Sequence, residues 1–251
     1  REPTCAYLDG VYFSPDEFVL TRAHFVESLP EGTQPSDYTW MRQYWKSLRE
    51  QEVDCLSIHD YLWRWDTDWF WCSKNLGMNF KPLRLLMGRK RLNSITYQKI
   101  MRASHHWPLN MLQYIRPRTE SVIQDVDIPI ANAADFLAEF EAEIGIRPVW
   151  ICPFVVPDGR FSLFELRTDT PYINFGFWDL VPSSKPDGHY NALVEELVAK
   201  HGGKKSLYSR STYDEARFWR EYDRDAYQSL KRECDPDGRF PGLYEKAVKQ
   251  G

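Results

Sequence analysis

The sequence lacks the short motifs that bind nucleotides or build the commonest active sites. None of the patterns G-x-G-x-x-G, G-x-x-x-x-G-K-[ST], H-E-x-x-H and G-x-S-x-G occurs in its 251 residues. These patterns mark dinucleotide, nucleotide, zinc-protease and serine-hydrolase sites respectively. The chain therefore carries no self-contained cradle for a nucleotide cofactor.

Cysteine is scarce and never closely paired. The five cysteines are odd in number, lie far apart and form no C-x-x-C pattern. This spacing argues against a disulfide framework and against a structural zinc site. We expect free thiols in a reducing compartment, which predicts a cytoplasmic protein.

Long apolar runs and a positive net charge are also missing. The longest apolar run, VWICPFVV at residues 149–156, is far shorter than the roughly 20 residues of a membrane-spanning helix. A net charge of -4 and a pI near 5.9 give no overall attraction to nucleic acid or to an anionic membrane. Neither is expected as a partner. Because the chain starts at Arg1 and enters strand-forming sequence at once, we expect a piece of a longer protein.

Aromatic residues, by contrast, are abundant at 15%, and residues 60–74 (DYLWRWDTDWFWCSK) hold four of the 10 Trp. The odd-numbered aromatic positions from Tyr61 to Trp71 fit a strand, whereas Tyr61, Trp65 and Trp69 are also spaced for one helical face. With an acidic cap at residues 66–68, we predict a strand over 53–65 and a helix from Thr67. One side then packs in a core, and another meets a lid, a ligand or a second domain.

The remaining pattern predicts alternating strands and helices. Strands are predicted at 5–13, 18–25, 122–130, 149–155, 163–167, 172–178 and 205–209, and helices at 40–51, 81–87, 95–103, 107–114, 131–144, 191–201, 213–219, 226–233 and 243–249. The order has no regular βαβ repeat. It therefore favours an α+β fold, an antiparallel β-sheet flanked by helices.

Four positions are candidates for a functional site. Asp125 and Asp127 lie about 7 Å apart on one strand face, either as an acid/base pair in a pocket or as part of a solvated outer face. Tyr208, which follows two lysines near a strand end, is a candidate proton donor. Gly176, inside an aromatic strand, indicates either the close approach of a ligand or another backbone, or a bulge.

The adjacent pair His105 and His106 is the most obvious candidate for metal binding. Adjacent side chains diverge on a helix or a strand, and no third ligand stands at suitable spacing nearby. We expect no metal, and read the pair as surface or core histidines.

Several segments together resemble a known family. The segments VIQDVDIPI, RPVWICPF, PYINFGFWD and the tail HGGKKSLYSRSTYDEARFWREYDRDAYQSLKRECDPDGRFPGLYEKAV look like the C-terminal half of the sterol side-chain (Δ24) reductases. These enzymes belong to the vanillyl-alcohol-oxidase superfamily of FAD-linked oxidoreductases. The opening YLDGVYFSPDEFVL is similar to the family's segment after its FAD-binding domain, and DYLWRWDTDWFW resembles its aromatic region.

The resemblance implies that residues 1–251 form a single cap domain that binds substrate, and that an upstream FAD-binding domain, absent from this chain, is its partner. It implies reduction of a carbon–carbon double bond of a small lipid substrate, with hydride passing from NADPH through FAD. The lipid is a sterol side chain or an unsaturated or methylene-bearing fatty acyl chain. Membrane contact is expected only through a region outside this chain, and the chain alone is expected to be inactive.

The resemblance also implies roles for individual residues. We expect Asp125 and Tyr208 to polarise the substrate or deliver a proton, Lys205 and Gln124 to lie near the flavin, and Asn174, Trp178 and Trp65 to line the substrate pocket. Two other hypotheses stay open: a non-catalytic aromatic-rich module that binds lipid or sugar, and a stand-alone cofactor-free enzyme using Asp125.

Overall fold

The computed structural model describes residues 5–104, 118–158 and 161–249. The predicted helix at 107–114 and the pair His105 and His106 lie outside these residues. The strands are β1 (Tyr7–Ser14), β2 (Glu17–Ala23), β3 (Thr119–Pro129), β4 (Val149–Phe154), β5 (Tyr172–Pro182) and β6 (Lys204–Lys205). The helices are α1 (Tyr44–Ser47), α2 (Ile58–Trp63), α3 (Lys81–Met87), α4 (Ser94–Ser104), α5 (Ala133–Glu143), α6 (His189–Lys200), α7 (Glu215–Glu221) and α8 (Arg224–Cys234).

The six strands form one sheet in the order β2-β1-β4-β5-β3-β6. β1 with β4, β4 with β5, and β3 with β6 pair antiparallel. The prediction of an α+β fold with an antiparallel sheet flanked by helices is therefore confirmed. In the register of these pairs, Trp150 faces Gly176 and Val126 faces Lys205.

The chain divides into two compact units. The first unit contains Arg1–Tyr7 and Val19–Thr119, and the second contains Leu8–Phe18 and Glu120–Gly251. Each unit has an apolar cluster of its own, around Tyr97 in the first and around Phe136 in the second. Whether residues 1–251 act as one substrate-binding domain stays a prediction.

One face of the second unit's sheet is covered by α5 and α6. The predicted alternation on β3 is confirmed, because Val122, Val126 and Ile128 are fully buried with Gln124 on the same side. Phe136 of α5 packs on this side of the sheet. The intervening residues of β3 therefore point to the other face, and apart from Ile123 and Pro129 they are polar.

In the first unit, the predictions for the aromatic segment are wrong. Residues 58–63 form α2, not a strand, and no helix starts at Thr67. Instead Trp69, Phe70 and Trp71 have φ angles of 48°, 49° and 58°, a left-handed conformation that side chains other than glycine rarely adopt. Trp71 is completely buried at this turn, so packing stabilises a backbone that local propensity disfavours.

The acidic residues expected to cap that helix have distant partners instead. Asp68 accepts a hydrogen bond of 2.8 Å from Arg84, and both side chains are buried. Asp66 Oδ1 accepts from the backbone N–H of Ser94 at 3.1 Å, at the start of α4. These carboxylates therefore contact residues of α3 and α4, which lie further along the chain.

Four further predictions differ from the structure. The predicted strand at 163–167 is wrong, since Ser162–Phe164 forms a 3-10 turn whose Phe164 packs on the cluster around Phe218. The helix predicted at 40–51 contains only Tyr44–Ser47, and the one predicted at 243–249 is a π-helical turn at Glu245–Lys249. The short strand predicted at 205–209 reduces to Lys204–Lys205.

Candidate active site

Asp125 and Asp127 lie on the sheet face of the second unit that α5 and α6 leave uncovered. Asp127 is only 5% exposed, and its Oδ1 accepts a hydrogen bond of 2.7 Å from Asn174 Nδ2 on β5. Asp125 is half-buried. Of the two alternatives left open by the sequence, a solvated outer face does not describe these carboxyl groups.

Burial sets the protonation of both carboxyl groups. It raises the pKa of Asp127 to about 6, against a lowering by the Asn174 hydrogen bond and with a further increase from the charge of Asp125. Burial also raises the pKa of Asp125, while a hydrogen bond with Tyr208 lowers it. Desolvation disfavours the charged form of a carboxyl group, so both residues hold protons at pH values where exposed aspartates are ionised.

Tyr208 connects two neighbouring strands of the sheet. Trp178 Nε1, on β5, donates a hydrogen bond of 2.8 Å to Tyr208 Oη. The same hydroxyl is hydrogen-bonded to Asp125 on β3. Tyr208 itself is 54% exposed, so its hydroxyl is held in place while its ring remains accessible.

Gly176 makes this arrangement sterically feasible. A Cβ atom at this position would lie 2.5 Å from Asp125 Oδ1 and 2.5 Å from Trp178 Cη2. Non-bonded atoms do not approach this closely, so any side chain here would displace the carboxylate or the indole. The groups that approach Gly176 are side chains of the same unit, whereas the sequence predicted a ligand, another backbone or a bulge.

Two buried acceptors on this face have no hydrogen-bond partner among the described residues. They are Asp125 Oδ1 and Asn174 Oδ1. Leaving a buried polar atom unpaired costs about 1–3 kcal/mol, and such atoms are rare in native proteins. Either atom can accept a hydrogen bond from a ligand that brings an N–H or O–H donor.

Lys205 and Gln124 lie on the other face, toward α6. Lys205 is 1% exposed, and its Nζ donates to Glu195 Oε1 at 2.8 Å and to the Arg210 carbonyl at 2.6 Å. Gln124 Nε2 donates to Asn191 Oδ1 at 2.7 Å and to the same carbonyl at 3.1 Å. Cofactor binding by either residue stays a prediction, and the described contacts give both a structural role.

These buried contacts position the segment that carries Tyr208. Ser209 Oγ donates to Gln124 Oε1 at 2.9 Å, and the Ser206 N–H donates to the Asp125 carbonyl at 2.9 Å. Residues on both sides of Tyr208 are thus tied to β3. We infer that Gln124 and Lys205 hold this segment so that Tyr208 reaches the opposite face.

Trp65 belongs to the first unit, where it is a core residue. It is 7% exposed and packs against Tyr44, Phe70 and Trp71 with ring centroids 4.8, 5.0 and 5.7 Å away. Its role as a pocket wall stays a prediction. Within the second unit, the structure brings together Asp125, Tyr208, Asn174 and Trp178 on one face of the sheet, but places Gln124 and Lys205 on the other face.

Trp150 and Cys152 of β4 share this face, and sequence reasoning missed them. Trp150 faces Gly176 and Cys152 faces Asn174 across the β4–β5 pair. The Trp150 ring lies 6.5 Å from that of Trp178, and burial raises the pKa of the Cys152 thiol. The signal was available, because both residues alternate with buried Val149 and Ile151.

The described residues show no arrangement typical of a metal site or of a membrane span. No group of three or more His, Cys, Asp or Glu side chains is arranged to hold a metal ion in this part of the chain. None of the helices described is both long enough and apolar enough to cross a membrane.

Comparison with known proteins relates the chain to a class of reductases. The matching curated proteins are all named as sterol reductases or a homologue of one, and no protein-family model matches the chain. Three of these relatives, from rat, human and Arabidopsis thaliana, are named Delta(24)-sterol reductase. The rat protein is 27% identical over 264 aligned positions, the human protein 26% over 263, and the Arabidopsis thaliana protein 22% over 285.

Each of these three alignments covers 97% of this chain and 48% of the relative. The chain therefore spans about half the length of the curated relatives it matches. The resemblance inferred from the sequence segments is confirmed, and it extends over nearly the whole chain.

Proposed function

We propose that this chain is the substrate-binding part of an FAD-dependent oxidoreductase that reduces a carbon–carbon double bond in the side chain of a sterol. The observation that carries the proposal is the hydrogen-bonded set of Trp178, Tyr208 and Asp125 on the sheet face opposite α5 and α6. Its support is the similarity of the chain to proteins named Delta(24)-sterol reductase. The set can move a proton, which reduction of an alkene requires in addition to a hydride.

The cofactor belongs mainly to a domain outside this chain. A reduced flavin, itself reduced by NADPH, would supply the hydride when bound. The residues present fit such a group, because the unpartnered Asp125 Oδ1 and Asn174 Oδ1 would accept from an N–H of the flavin ring or from a hydroxyl of the substrate. The rings of Trp150 and Trp178 would offer a flat apolar surface beside them.

Tyr208 is the proton donor in this proposal. An indole N–H is a donor only, so Trp178 occupies one lone pair of Tyr208 Oη. Asp125 is hydrogen-bonded to the same hydroxyl, and burial raises the pKa of its carboxyl group. In this proposal the Tyr208 hydroxyl turns its proton from Asp125 toward the substrate when the substrate is bound.

The proton and the hydride add to different carbons of the double bond. Tyr208 Oη would release its proton to one carbon while the hydride adds to the other, so that the π bond is replaced by two C–H bonds and the C–C single bond remains. The phenolate that would form accepts a hydrogen bond from Trp178, which stabilises its charge. Tyr208 would then be protonated again from solvent, with the Asp125 carboxyl group beside the hydroxyl as the relay.

The aromatic binding-module hypothesis has weaker support. It requires Trp side chains exposed on one concave face. Trp65 and Trp71 are buried in the first unit, whereas Trp63 is 56% exposed. Most of this aromatic segment is therefore used for packing.

The proposal is tested with the longer protein that includes a flavin-binding domain. We expect visible flavin bands that bleach on anaerobic addition of NADPH and return when a sterol with a side-chain double bond is added. Return of the bands with an unsaturated fatty acyl lipid alone would replace the sterol by that substrate. A colourless protein, or a flavin that NADPH does not reduce, would contradict the reductase mechanism.

A further inference from the structure

One part of the sequence has a charge opposite to that of the whole chain. Between Asp68 and Glu120 there is no acidic residue, but there are ten Lys and Arg; the remaining sequence has 22 Lys and Arg against 36 Asp and Glu. The net charge of -4 conceals this division. A strongly basic segment attracts an anionic partner even when the protein as a whole is acidic.

The same segment exposes large aliphatic side chains on α3. Leu85 is 58% exposed and Leu86 is 80% exposed. Leu83 and Met87 pack on the cluster around Tyr97, and Leu85 lies on the opposite side of the helix from them. Phe80, just before α3, is 65% exposed. Large apolar side chains exposed within one short segment mark an interaction surface.

α4 presents a second stripe of the same character. Ile95, Lys99 and Arg102 follow the i, i+4, i+7 spacing of one helical face, and all three are exposed, whereas Tyr97 is completely buried. The exposed basic side chains of residues 80–102 are Lys81, Arg89, Lys90, Arg91, Lys99 and Arg102. Within the described chain, only Arg89 of these six pairs with a carboxylate, that of Asp37.

We propose that this surface docks on an anionic lipid bilayer. The basic apolar surface is defined as Phe80, Leu85, Leu86 and Ile95 together with the six exposed basic residues of 80–102. Aliphatic side chains flanked by Lys and Arg suit the boundary between headgroups and acyl chains, where the apolar groups insert and the cations meet lipid phosphates and carboxylates. The contact is peripheral, because the seven residues of α3 are far fewer than the roughly 20 that a membrane-spanning helix needs.

The charge alone would also suit a nucleic acid, but the aliphatic side chains favour lipid. Contacts to a phosphate backbone use cations and polar donors, and exposed Leu side chains add nothing to them. Lipid docking extends the proposed function, because it would bring the chain to the phase in which an apolar substrate dissolves. It does not depend on that function, since binding to vesicles requires neither flavin nor substrate.

The test is co-sedimentation of the 251-residue chain with lipid vesicles. We expect binding to phosphatidylcholine vesicles that contain phosphatidylserine, weak binding to pure phosphatidylcholine, and weakening by salt. Each lost basic residue lowers the partition coefficient about fivefold, so the variant Lys90→Glu with Arg91→Glu should lower it more than tenfold. Leu85→Ser with Leu86→Ser should also lower it about tenfold.

Matched variants control for general effects of charge and hydrophobicity. Lys185→Glu with Arg220→Glu makes the same charge change at exposed positions of the second unit, and should leave binding within about twofold of wild type. Val53→Ser with Ile58→Ser removes two exposed apolar side chains of the first unit and should do the same. Circular dichroism checks that each variant is folded.

Four results would overturn the proposal. They are no binding to either vesicle, equal binding to both, equal losses in the test and control variants, and binding to a DNA duplex that is tighter than to vesicles and insensitive to Leu85→Ser with Leu86→Ser. The last result would assign the surface to nucleic acid. None of these results bears on reduction of the flavin by NADPH, so the two proposals fail separately.

Discussion

The indole Nε1 of Trp178 donates a hydrogen bond of 2.8 Å to Oη of Tyr208. Trp178 lies on β5, while Asp125, the other hydrogen-bond partner of this hydroxyl, lies on β3. The three side chains meet beside Gly176, which has no Cβ to separate them. One phenol is thereby fixed between a donor and a carboxyl group whose burial raises its pKa.

Replacing Trp178 by Phe tests the contribution of this hydrogen bond, since Phe keeps an aromatic ring but has no N–H. A hydrogen bond to a group that becomes charged is worth about 1.5–3 kcal/mol. We expect kcat of the longer, flavin-containing protein to fall about tenfold or more, with little change in KM. Trp63→Phe, at an exposed position of the first unit, is the control. An unchanged kcat in Trp178→Phe would show that the hydrogen bond does not assist proton transfer.

Gly176→Ala should destabilise the chain. The new Cβ would meet both the Asp125 carboxylate and the Trp178 ring, and overpacking of this kind costs about 1–3 kcal/mol. Urea unfolding of the chain measures the loss. In the double variant Gly176→Ala with Asp125→Ala, part of the loss should be recovered, because one of the two clashes is gone. A single variant as stable as wild type would refute the close packing at Gly176.

The raised pKa of Asp127 predicts a pH-dependent stability. The pKa is about 6 in the folded chain and 3.8 in the reference state, so the folded state binds the proton more tightly than the unfolded state. The stabilising contribution of the neutral acid is complete below pH 3.8 and is lost as the pH rises through about 6. The total loss is about 3 kcal/mol.

Asp127→Asn should remove this decline, since the amide does not ionise. The measurement is the free energy of unfolding in urea at a series of pH values across that interval. Asp16→Asn, at an exposed turn position, should retain the wild-type profile. If Asp127→Asn and wild type had parallel profiles, Asp127 would not be the group that titrates.

The ion pair between Lys205 and Glu195 predicts a large effect of mutation. Both side chains are buried, and Lys205→Met leaves the Glu195 carboxylate without its cation, which costs about 3–5 kcal/mol. The double variant Lys205→Met with Glu195→Gln should recover part of this free energy of unfolding. Lys200→Met, at the exposed pair with Glu139, should leave stability nearly unchanged. If Lys205→Met lowered the free energy of unfolding as little as Lys200→Met does, the role given to Lys205 would be contradicted.

The periodicity of apolar residues predicted the strands and helices whose conformation depends on neighbouring residues in the sequence. Period-two alternation located β3 and assigned its faces, and helical spacing located α3 and α5 within two residues at each end. It failed at residues 53–71, because Asp68 binds Arg84 and Asp66 binds Ser94. No local rule reveals such long-range partners.

The candidate site was predicted in the same uneven way. Asp125 and Tyr208 are 83 positions apart in the sequence. Each is a candidate from its own segment, and the family resemblance implies a catalytic role for both. Alternation already separates Gln124 from Asp125, because neighbouring strand residues face opposite ways. Gln124 and Asp125 therefore cannot both point into one site on the same face of the sheet, although the sequence analysis predicts a role for each. The link from Tyr208 to Trp178 depends on how the segment after β6 turns, which no pattern encodes.

The most direct test of the central claim compares the two half-reactions of the longer, flavin-containing protein in wild type and in Tyr208→Phe. Tyr7→Phe, in the first unit, serves as the control. The account predicts that NADPH reduces the flavin at the same rate in all three proteins, while reoxidation by a sterol alkene is slower in Tyr208→Phe by about a hundredfold or more. Equal rates of reoxidation in Tyr208→Phe and wild type would contradict the assignment of Tyr208 as the proton donor.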